Sequence, residues 1–355
     1  MSIKEINITY PYIKKSGGME TYVIDLIRGM SSLGVKTNVI TMYVDKTIVF
    51  DRSLVVFKIF NIPVVSSFKF FRDKVFDIFC MTKIVKGAPT ISCCRFPGKA
   101  EIAISAGTHI ANRLSIGKKI YRLNDFLSIW QERKHFNSSL HVIAHSNSIK
   151  KELVDYYKVP VEKISVFYPP TDPSVFKIKK DLSVENFRSS LGIDNNDIVL
   201  LFPSGNHFRK GGDIILSALE HVDSRVKLVV AGSKKIEHEK VVNVGFFDDM
   251  ALLYSAVDAT ILASRYEPFG LVAIESVLCG TPVILSKHVA ATEVLDKRNC
   301  FEFDLNVESI VSAINDFISI FDSGSFNSFK LNMPAPKINT LNEHCEEIIK
   351  LINSK

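Results

Sequence analysis

Short apolar runs of strand character alternate with segments of helical period along this whole chain, and few folds accommodate that alternation. Ile6 to Thr9 reads as a strand that leads through Gly17-Gly18 into a helix over Thr21 to Leu33. Gly34 ends that helix, and Lys36 to Met42 is the next strand. Ile102 to Ser105 and Val142 to Ala144 are further short strands. The second half repeats the theme with strands Ile198 to Phe202, Leu228 to Ala231 and Ala259 to Leu262, and with helices Gly212 to Leu219 and Met250 to Ser255. Such an order predicts an α/β protein in which parallel sheets are covered by helices on both faces.

At 355 residues the chain is long enough for two domains. Tyr168-Pro-Pro-Thr-Asp-Pro173 is the natural linker, because closely spaced prolines suit neither helix nor strand interiors. Leu341 to Ile352 reads as a final helix, and the polar stretch Ser323 to Met333 as a flexible surface loop.

With 46% hydrophobic and 23% charged residues the chain is globular, not disordered. Met1 to Tyr12 carries Lys4, Glu5 and Asn7, which does not read as a signal peptide. No apolar run approaches the ~18 residues of a membrane span. The six cysteines show no Cys-x-x-Cys spacing, so reduced thiols in a cytoplasmic protein are expected. Residues 1–170 hold 25 Lys and Arg against 13 Asp and Glu, a net +12, whereas residues 171–355 carry a net −6. A basic half of this kind suits an anionic surface. Nucleic acid is the weaker candidate, since no zinc-finger, helix-turn-helix or aromatic RNA-binding signature is present.

The densest motif is Ser264-Arg-Tyr-Glu-Pro-Phe-Gly-Leu-Val-Ala-Ile-Glu-Ser-Val-Leu-Cys-Gly-Thr-Pro-Val-Ile-Leu-Ser286. Pro268 and Gly270 end a loop, Leu271 to Cys279 reads as a short apolar helix, and Val283 to Leu285 as a strand. A helix N-terminus offers amides and partial positive charge to a diphosphate. Glu275 lies five residues beyond Gly270, roughly 7 Å along the helix at 1.5 Å per residue. That is about the offset between the phosphates and the ribose of a nucleotide. Glu267, in the loop, stands where a sugar beyond the phosphates would be oriented. Among Val272, Ala273, Ile274 and Val277, Glu275 equally suits a structural carboxylate, which needs a partner.

A second turn, Phe202-Pro-Ser-Gly-Asn-His-Phe-Arg-Lys-Gly-Gly-Asp213, follows a strand and opens a helix. It puts Arg209 and Lys210 at the C-terminal end of a strand, where α/β proteins bind ligands. Two adjacent cations there would neutralise a leaving diphosphate; a solvated basic turn is the plainer alternative. His109 follows the strand Ile102 to Ile104, and Gly17-Gly18 precedes a helix. His145 reads as structural, and Glu132 as part of a helix.

The Glu-x7-Glu spacing of Glu267 and Glu275, with the Arg209-Lys210 element, resembles the family-4 retaining glycosyltransferases, and the likeness runs over nearly the whole chain. In motif style it is nearest to lipopolysaccharide-core glucosyltransferases. Many members carry a further Arg before the Lys, where this chain has Ser204, Gly205 and Asn206. The resemblance implies the GT-B fold, with two Rossmann-like doubly wound domains facing a central cleft. It assigns residues 1–170, plus a helix at about 338–355 that crosses back, to the acceptor side, and residues 171–337 to nucleotide-sugar binding. It implies retaining, metal-independent transfer from a nucleotide-diphosphate sugar, UDP-sugar favoured, to a cell-surface glycan or lipid-linked saccharide, without a cofactor. Glu267, Arg209, Lys210 and His109 would be catalytic. Gly17, Gly18, Gly232, Val244, Phe246, Phe269, Gly270, Leu271 and Glu275 would bind the donor.

The chain lacks a P-loop, a Gly-x-Gly-x-x-Gly after a strand, an Asp-x-Asp pair, a His-Glu-x-x-His and a Gly-x-Ser-x-Gly elbow. The rival to catalysis is a nucleotide-sugar-binding partner subunit without activity. Phe68 to Lys83 places Phe68, Phe71, Val75 and Phe79 at helical spacing among Lys69, Arg72, Lys74 and Lys83, a basic amphipathic helix suited to a headgroup layer. A protein peripheral to the cytoplasmic face of the inner membrane is therefore expected. Packing of the same stripe in the core is the alternative. Nothing in the sequence speaks to oligomeric state.

Overall fold

The computed structural model describes residues 3–60, 69–120, 122–179, 182–194 and 196–354. It divides into two compact units, residues 1–170 with 339–355, and residues 171–338.

The first unit is built on seven strands, β1 (Glu5–Thr9), β2 (Lys36–Thr41), β3 (Val55–Ile59), β4 (Thr90–Ser92), β5 (Ile102–Ser105), β6 (His141–Ala144) and β7 (Ile164–Val166). All pair in parallel, in the order β3-β2-β1-β4-β5-β6-β7. Its helices are α1 (Gly18–Ser32), α2 (Lys69–Lys83), α3 (His109–Ser115), α4 (Leu123–Ser138) and α5 (Asn147–Tyr157). The second unit has β8 (Ile198–Pro203), β9 (Val226–Ala231), β10 (Val241–Gly245), β11 (Ala259–Leu262), β12 (Val283–Ser286) and β13 (Cys300–Phe303), also all parallel, in the order β10-β9-β8-β11-β12-β13. It carries α6 (Leu182–Ser190), α7 (Gly212–Leu219), α8 (Met250–Ser255), α9 (Leu271–Leu278), α10 (Val307–Asp322) and α11 (Phe326–Leu331). The last helix, α12 (Leu341–Asn353), belongs to the first unit.

Each sheet thus runs outward in both directions from its first strand. In such doubly wound sheets the connections leave opposite faces at one point, and the crevice outside the strand ends there accepts ligands. That point lies between β1 and β4 in the first sheet and between β8 and β11 in the second. The strands that flank it in the second sheet, β8 and β11, are buried at every position, as suits strands covered on both faces.

Local chemistry explains the helices that matter here. Thr340 and Glu343 close a reciprocal capping box at the start of α12, with Thr340 Oγ1 accepting from the Glu343 amide at 3.3 Å. Cys345 and Ile348 then bury against the α1 side of the first sheet. His344 Nε2 meets Tyr22 Oη at 3.0 Å, and His145 packs edge-on against the same tyrosine at 4.3 Å between ring centres. Burial depresses both imidazoles, His145 to about 3 and His344 to about 4, so the cluster is uncharged. His145 is the structural residue the sequence suggests.

Two expectations change. Ser323 to Met333 contains a helix, α11, whose Phe326 makes ring contacts with Phe317 and Phe321. In α2, Phe76 and Cys80 are buried, and Val75 and Phe79 pack on the same cluster with Ile40, Phe60 and Phe96. The described half of the amphipathic stripe is therefore core; Phe68 and the side chain of Phe71 lie outside the described residues.

Candidate functional site

The switch point of the second unit gathers the charged residues. The turn after β8 carries Arg209 and Lys210 and passes into α7 through Gly211, whose φ of 73° is left-handed. A Cβ there would stand 1.9 Å from the Ala263 carbonyl oxygen, so only glycine lets this turn lie against the end of β11. The loop after β11 runs alongside it, and the Arg265 amide donates to the Arg209 carbonyl at 2.9 Å. Arg265 then grips the turn with both arms of its guanidinium. It donates to Asp213 at 2.8 and 2.6 Å and to the Phe208 carbonyl at 2.6 Å, and its plane covers the Phe208 ring. This bond to Arg265 holds the Asp213 carboxyl below its ordinary pKa.

Glu267 is where the two cations meet. Its Oε2 lies 3.3 Å from Arg209 Nη1 and 3.7 Å from Lys210 Nζ. Arg209 Nη1 also donates to the Tyr266 carbonyl at 2.6 Å. Side-chain exposures of 27% for Arg209, 12% for Lys210 and 14% for Glu267 leave the cluster reachable but largely dry. The loop itself is pinned, since the Ala290 and Ala291 amides donate to the carbonyls of Glu267 and Phe269 at 3.2 and 2.7 Å. Gly270 caps α9 at φ 101°, which a side chain would strain and Val289 would crowd.

Glu275 sits in the second turn of α9 and accepts from Tyr254 Oη at 2.8 Å. Burial, and next the Glu275 carboxylate, push the Tyr254 phenol well above its ordinary pKa, so it acts there only as a donor. Thr281 Oγ1 donates to the Tyr254 carbonyl at 2.7 Å, which fixes the tyrosine from its backbone. Gly232 closes β9 and donates its N–H to the Gly245 carbonyl at 2.7 Å. That bond brings the turns after β9 and β10 together, with Val244 half-buried and Phe246 71% exposed.

In the first unit Gly17 precedes α1 at the end of the connection from β1, and Gly18 opens the helix. His109 opens α3 after β5, behind the Thr108 N-cap. Its amide donates to Glu132 Oε2 at 3.0 Å, and its Nε2 lies 2.8 Å from Asp125 Oδ1. Glu132 is a buried hub in α4, bonded also to Arg95 at 3.1 and 2.7 Å and to the Tyr157 hydroxyl. Within the second unit, therefore, Arg209, Lys210 and Glu267 come together, while Glu275 is bonded to Tyr254. Three partners escaped the sequence reading: Arg265, Tyr254 and Asp125. Only Arg265 left a signal, as a charge inside the Ser264–Ser286 motif. Among the described residues no group of three or more His, Cys, Asp or Glu is arranged to hold a metal.

Comparison with known proteins gives consistent matches. Residues 183–321 match the family described as glycosyl transferases group 1, and residues 16–175 match glycosyltransferase family 4. A probable transglycosylase of Burkholderia thailandensis is 34% identical over 297 residues, covering 82% of this chain and 79% of the relative. An uncharacterized glycosyltransferase of Methanocaldococcus jannaschii is 29% identical over 271 residues, 70% of this chain and 67% of the relative. Among solved structures, WaaG, a glycosyltransferase involved in lipopolysaccharide biosynthesis, aligns over 99% of this chain and 100% of its own at a TM-score of 0.80 and 15% identity. Anabaena HepE in complex with UDP and glucose aligns over 99% and 100% at 0.72 and 17%.

Proposed function

The chain belongs to the family-4, group 1 glycosyltransferases and has their GT-B fold, and from that premise we propose that it transfers a hexose from a nucleotide-diphosphate donor, preferably a UDP-sugar, to a cell-surface glycan or lipid-linked saccharide, with retention of anomeric configuration. The observation that carries the reading is the convergence of Arg209 and Lys210 on Glu267 at the switch point of the second sheet.

The chemistry follows from where charge develops. As the bond from the anomeric carbon to the diphosphate breaks, negative charge grows on the leaving oxygen, and preorganised cations at that place lower the barrier. Glu267 holds Arg209 and Lys210 in position before the donor arrives, so little reorganisation remains to be done. The first-turn amides of α9, around Gly270 and Leu271, add the positive end of a helix dipole. Glu275, steadied by Tyr254, accepts the ribose hydroxyls. Glu267 orients the moving sugar, and the acceptor hydroxyl attacks from the face the diphosphate leaves. These charges carry the leaving group without a metal ion. UDP, bound in the HepE structure, supports the choice of nucleotide. An inactive nucleotide-sugar-binding subunit is the less favoured reading, because cations and carboxylate stand together as catalysis would need.

A thermal-shift screen of UDP-, GDP- and ADP-sugars identifies the donor, since a ligand at 100 times its Kd stabilises by about 2.7 kcal/mol. The selected donor, incubated with EDTA and acceptor, is expected to give product of unchanged anomeric configuration by proton NMR. An inverted product, or complete loss with EDTA that Mn²⁺ rescues, would refute the mechanism.

We also place the protein on the cytoplasmic face of the inner membrane, held by a surface other than α2. On α4, Leu123, Phe126 and Trp130 fall at positions i, i+3 and i+7 and are 75%, 57% and 59% exposed, beside Leu114 of α3 at 51%. Lys118, Lys119, Arg122, Arg133 and Lys134 are exposed around them. The acidic residues of α4, Asp125 and Glu132, are buried and paired. Apolar side chains ringed by cations suit anionic headgroups, with about 1 kcal/mol for each Lys or Arg near the surface. Among the described residues no helix is long and apolar enough to cross a membrane. The protein is expected to sediment with anionic vesicles, to be released by salt, and to lose most of that binding in a Phe126→Ser/Trp130→Ser variant. Equal sedimentation of the variant, or equal recovery with neutral vesicles, would refute the assignment.

A further inference from the structure

One arginine of the second unit holds the basic turn from outside it. The Arg265 guanidinium spans the two ends of the segment Phe208-Arg-Lys-Gly-Gly-Asp213. Its Nη1 donates to the Phe208 carbonyl at 2.6 Å and to Asp213 Oδ1 at 2.8 Å, and its Nη2 to Asp213 Oδ2 at 2.6 Å. Its Cζ stands 4.2 Å from the centre of the Phe208 ring. A rigid planar fork is thus used on a carbonyl at one end of the turn and a carboxylate at the other.

The fold does not need this clamp to bring turn and loop together. The Arg265 amide already donates to the Arg209 carbonyl at 2.9 Å, and Gly211 lies too close to the Ala263 carbonyl for a Cβ. The Asp213 side chain is 51% exposed, and ion pairs so open to water add little to stability. What the clamp fixes is the course of the four residues between its ends. Arg209 has a tether of its own there, the Tyr266 carbonyl at 2.6 Å. Lys210 has less. Among the described residues its ammonium meets only Glu267, at 3.7 Å, so its place depends on the backbone that carries it.

We infer that Arg265 is a positioning residue for the transfer reaction, which with Asp213 holds the turn so that the Lys210 ammonium stands where the leaving diphosphate gathers charge. This rests on the proposal above that Lys210 stabilises that group. Every residue of the clamp and the turn lies in the second unit. A misplaced ammonium costs no more than an absent one, about 10²-fold in rate, and a displacement of about 1 Å can cost most of that.

The test is a double-mutant cycle in the full chain, with kcat expressed per site that binds the nucleotide in calorimetry. Asp213→Asn keeps the shape of the side chain and loses its charge, whereas Arg265→Lys keeps the charge and loses the fork. Each is expected to lower kcat about tenfold in the otherwise wild-type chain. In Lys210→Ala each should change kcat by less than about twofold, because the group they position is gone. A role in folding alone would lower Tm and the number of sites and leave kcat per site unchanged. That result in Asp213→Asn would overturn the inference, as would equal losses in the two backgrounds, even if Arg265→Lys failed to fold; the transfer reading would stand. A wild-type chain that turns over no nucleotide sugar would overturn both.

Discussion

Replacing Lys210 by alanine is expected to lower kcat by about 10²-fold, the scale for removing one preorganised charge stabiliser from a largely dry site. Lys210 is the less exposed of the two cations, and its ammonium lies 3.7 Å from Glu267. Arg209→Ala should cost a similar factor in kcat and also destabilise the fold. Its guanidinium ties the loop after β11 through the Tyr266 carbonyl at 2.6 Å, which truncation would leave without that donor. Arg209→Lys should not restore the wild-type rate, because an ammonium cannot hold the Tyr266 carbonyl and the Glu267 carboxylate as the planar fork does. Steady-state rates and melting temperatures of the three variants check this. Rates within about twofold of wild type for Lys210→Ala, in a protein that binds the donor normally, would remove the pair from the chemistry.

Much of the architecture was legible because each strand–helix unit carries its own punctuation. Helices at Gly212–Leu219 and Met250–Ser255 and the strand at Ala259–Leu262 lie at the bounds the pattern suggests, each set off by glycine, aspartate or a change of period. β3 escaped notice because it is an edge strand with Val56 and Ile59 exposed, so its apolar residues do not report burial. α4 was read only around Glu132, and its extent escaped for a related reason: Leu123, Phe126 and Trp130 face outward while Asp125, Glu132 and His135 are buried, the reverse of an ordinary amphipathic helix. α11 was read as a loop because its Phe326 finds its partners, Phe317 and Phe321, on α10, a tertiary contact that no local period records.

The site divides in the same way. Glu267, Arg209 and Lys210 sit in turns whose glycines mark close backbone approach, and Glu275 in the helix that follows such a turn; both can be recognised from sequence. What holds them was not visible. Asp213 and Arg265 are 52 residues apart, Tyr254 and Glu275 21, and His109 and Asp125 16. Strand order brings Arg265 to the first of these turns, and strand order is a property of the whole sheet.

The two carboxylates carry the second large effect and the most direct test of the donor site. Glu275 is bonded to the fully buried Tyr254, and on the proposed reading ribose hydroxyls bound there stay bound as the sugar moves. Its loss should therefore weaken ground state and transition state alike. Hydrogen bonds to a charged group are worth about 1.5–3 kcal/mol, so nucleotide affinity in Glu275→Ala should fall by roughly 10- to 100-fold, with a small change in kcat. Glu267 instead meets Arg209 and Lys210, the place where, on the proposed reading, the bond breaks. Glu267→Ala should lower kcat by about 10²-fold while leaving nucleotide affinity nearly unchanged. The decisive measurement sets the nucleotide Kd from calorimetry beside kcat for wild type, Glu267→Ala and Glu275→Ala. The account predicts that Kd moves in Glu275→Ala and kcat in Glu267→Ala; if neither constant moves by more than about twofold in either variant, this is not the donor site.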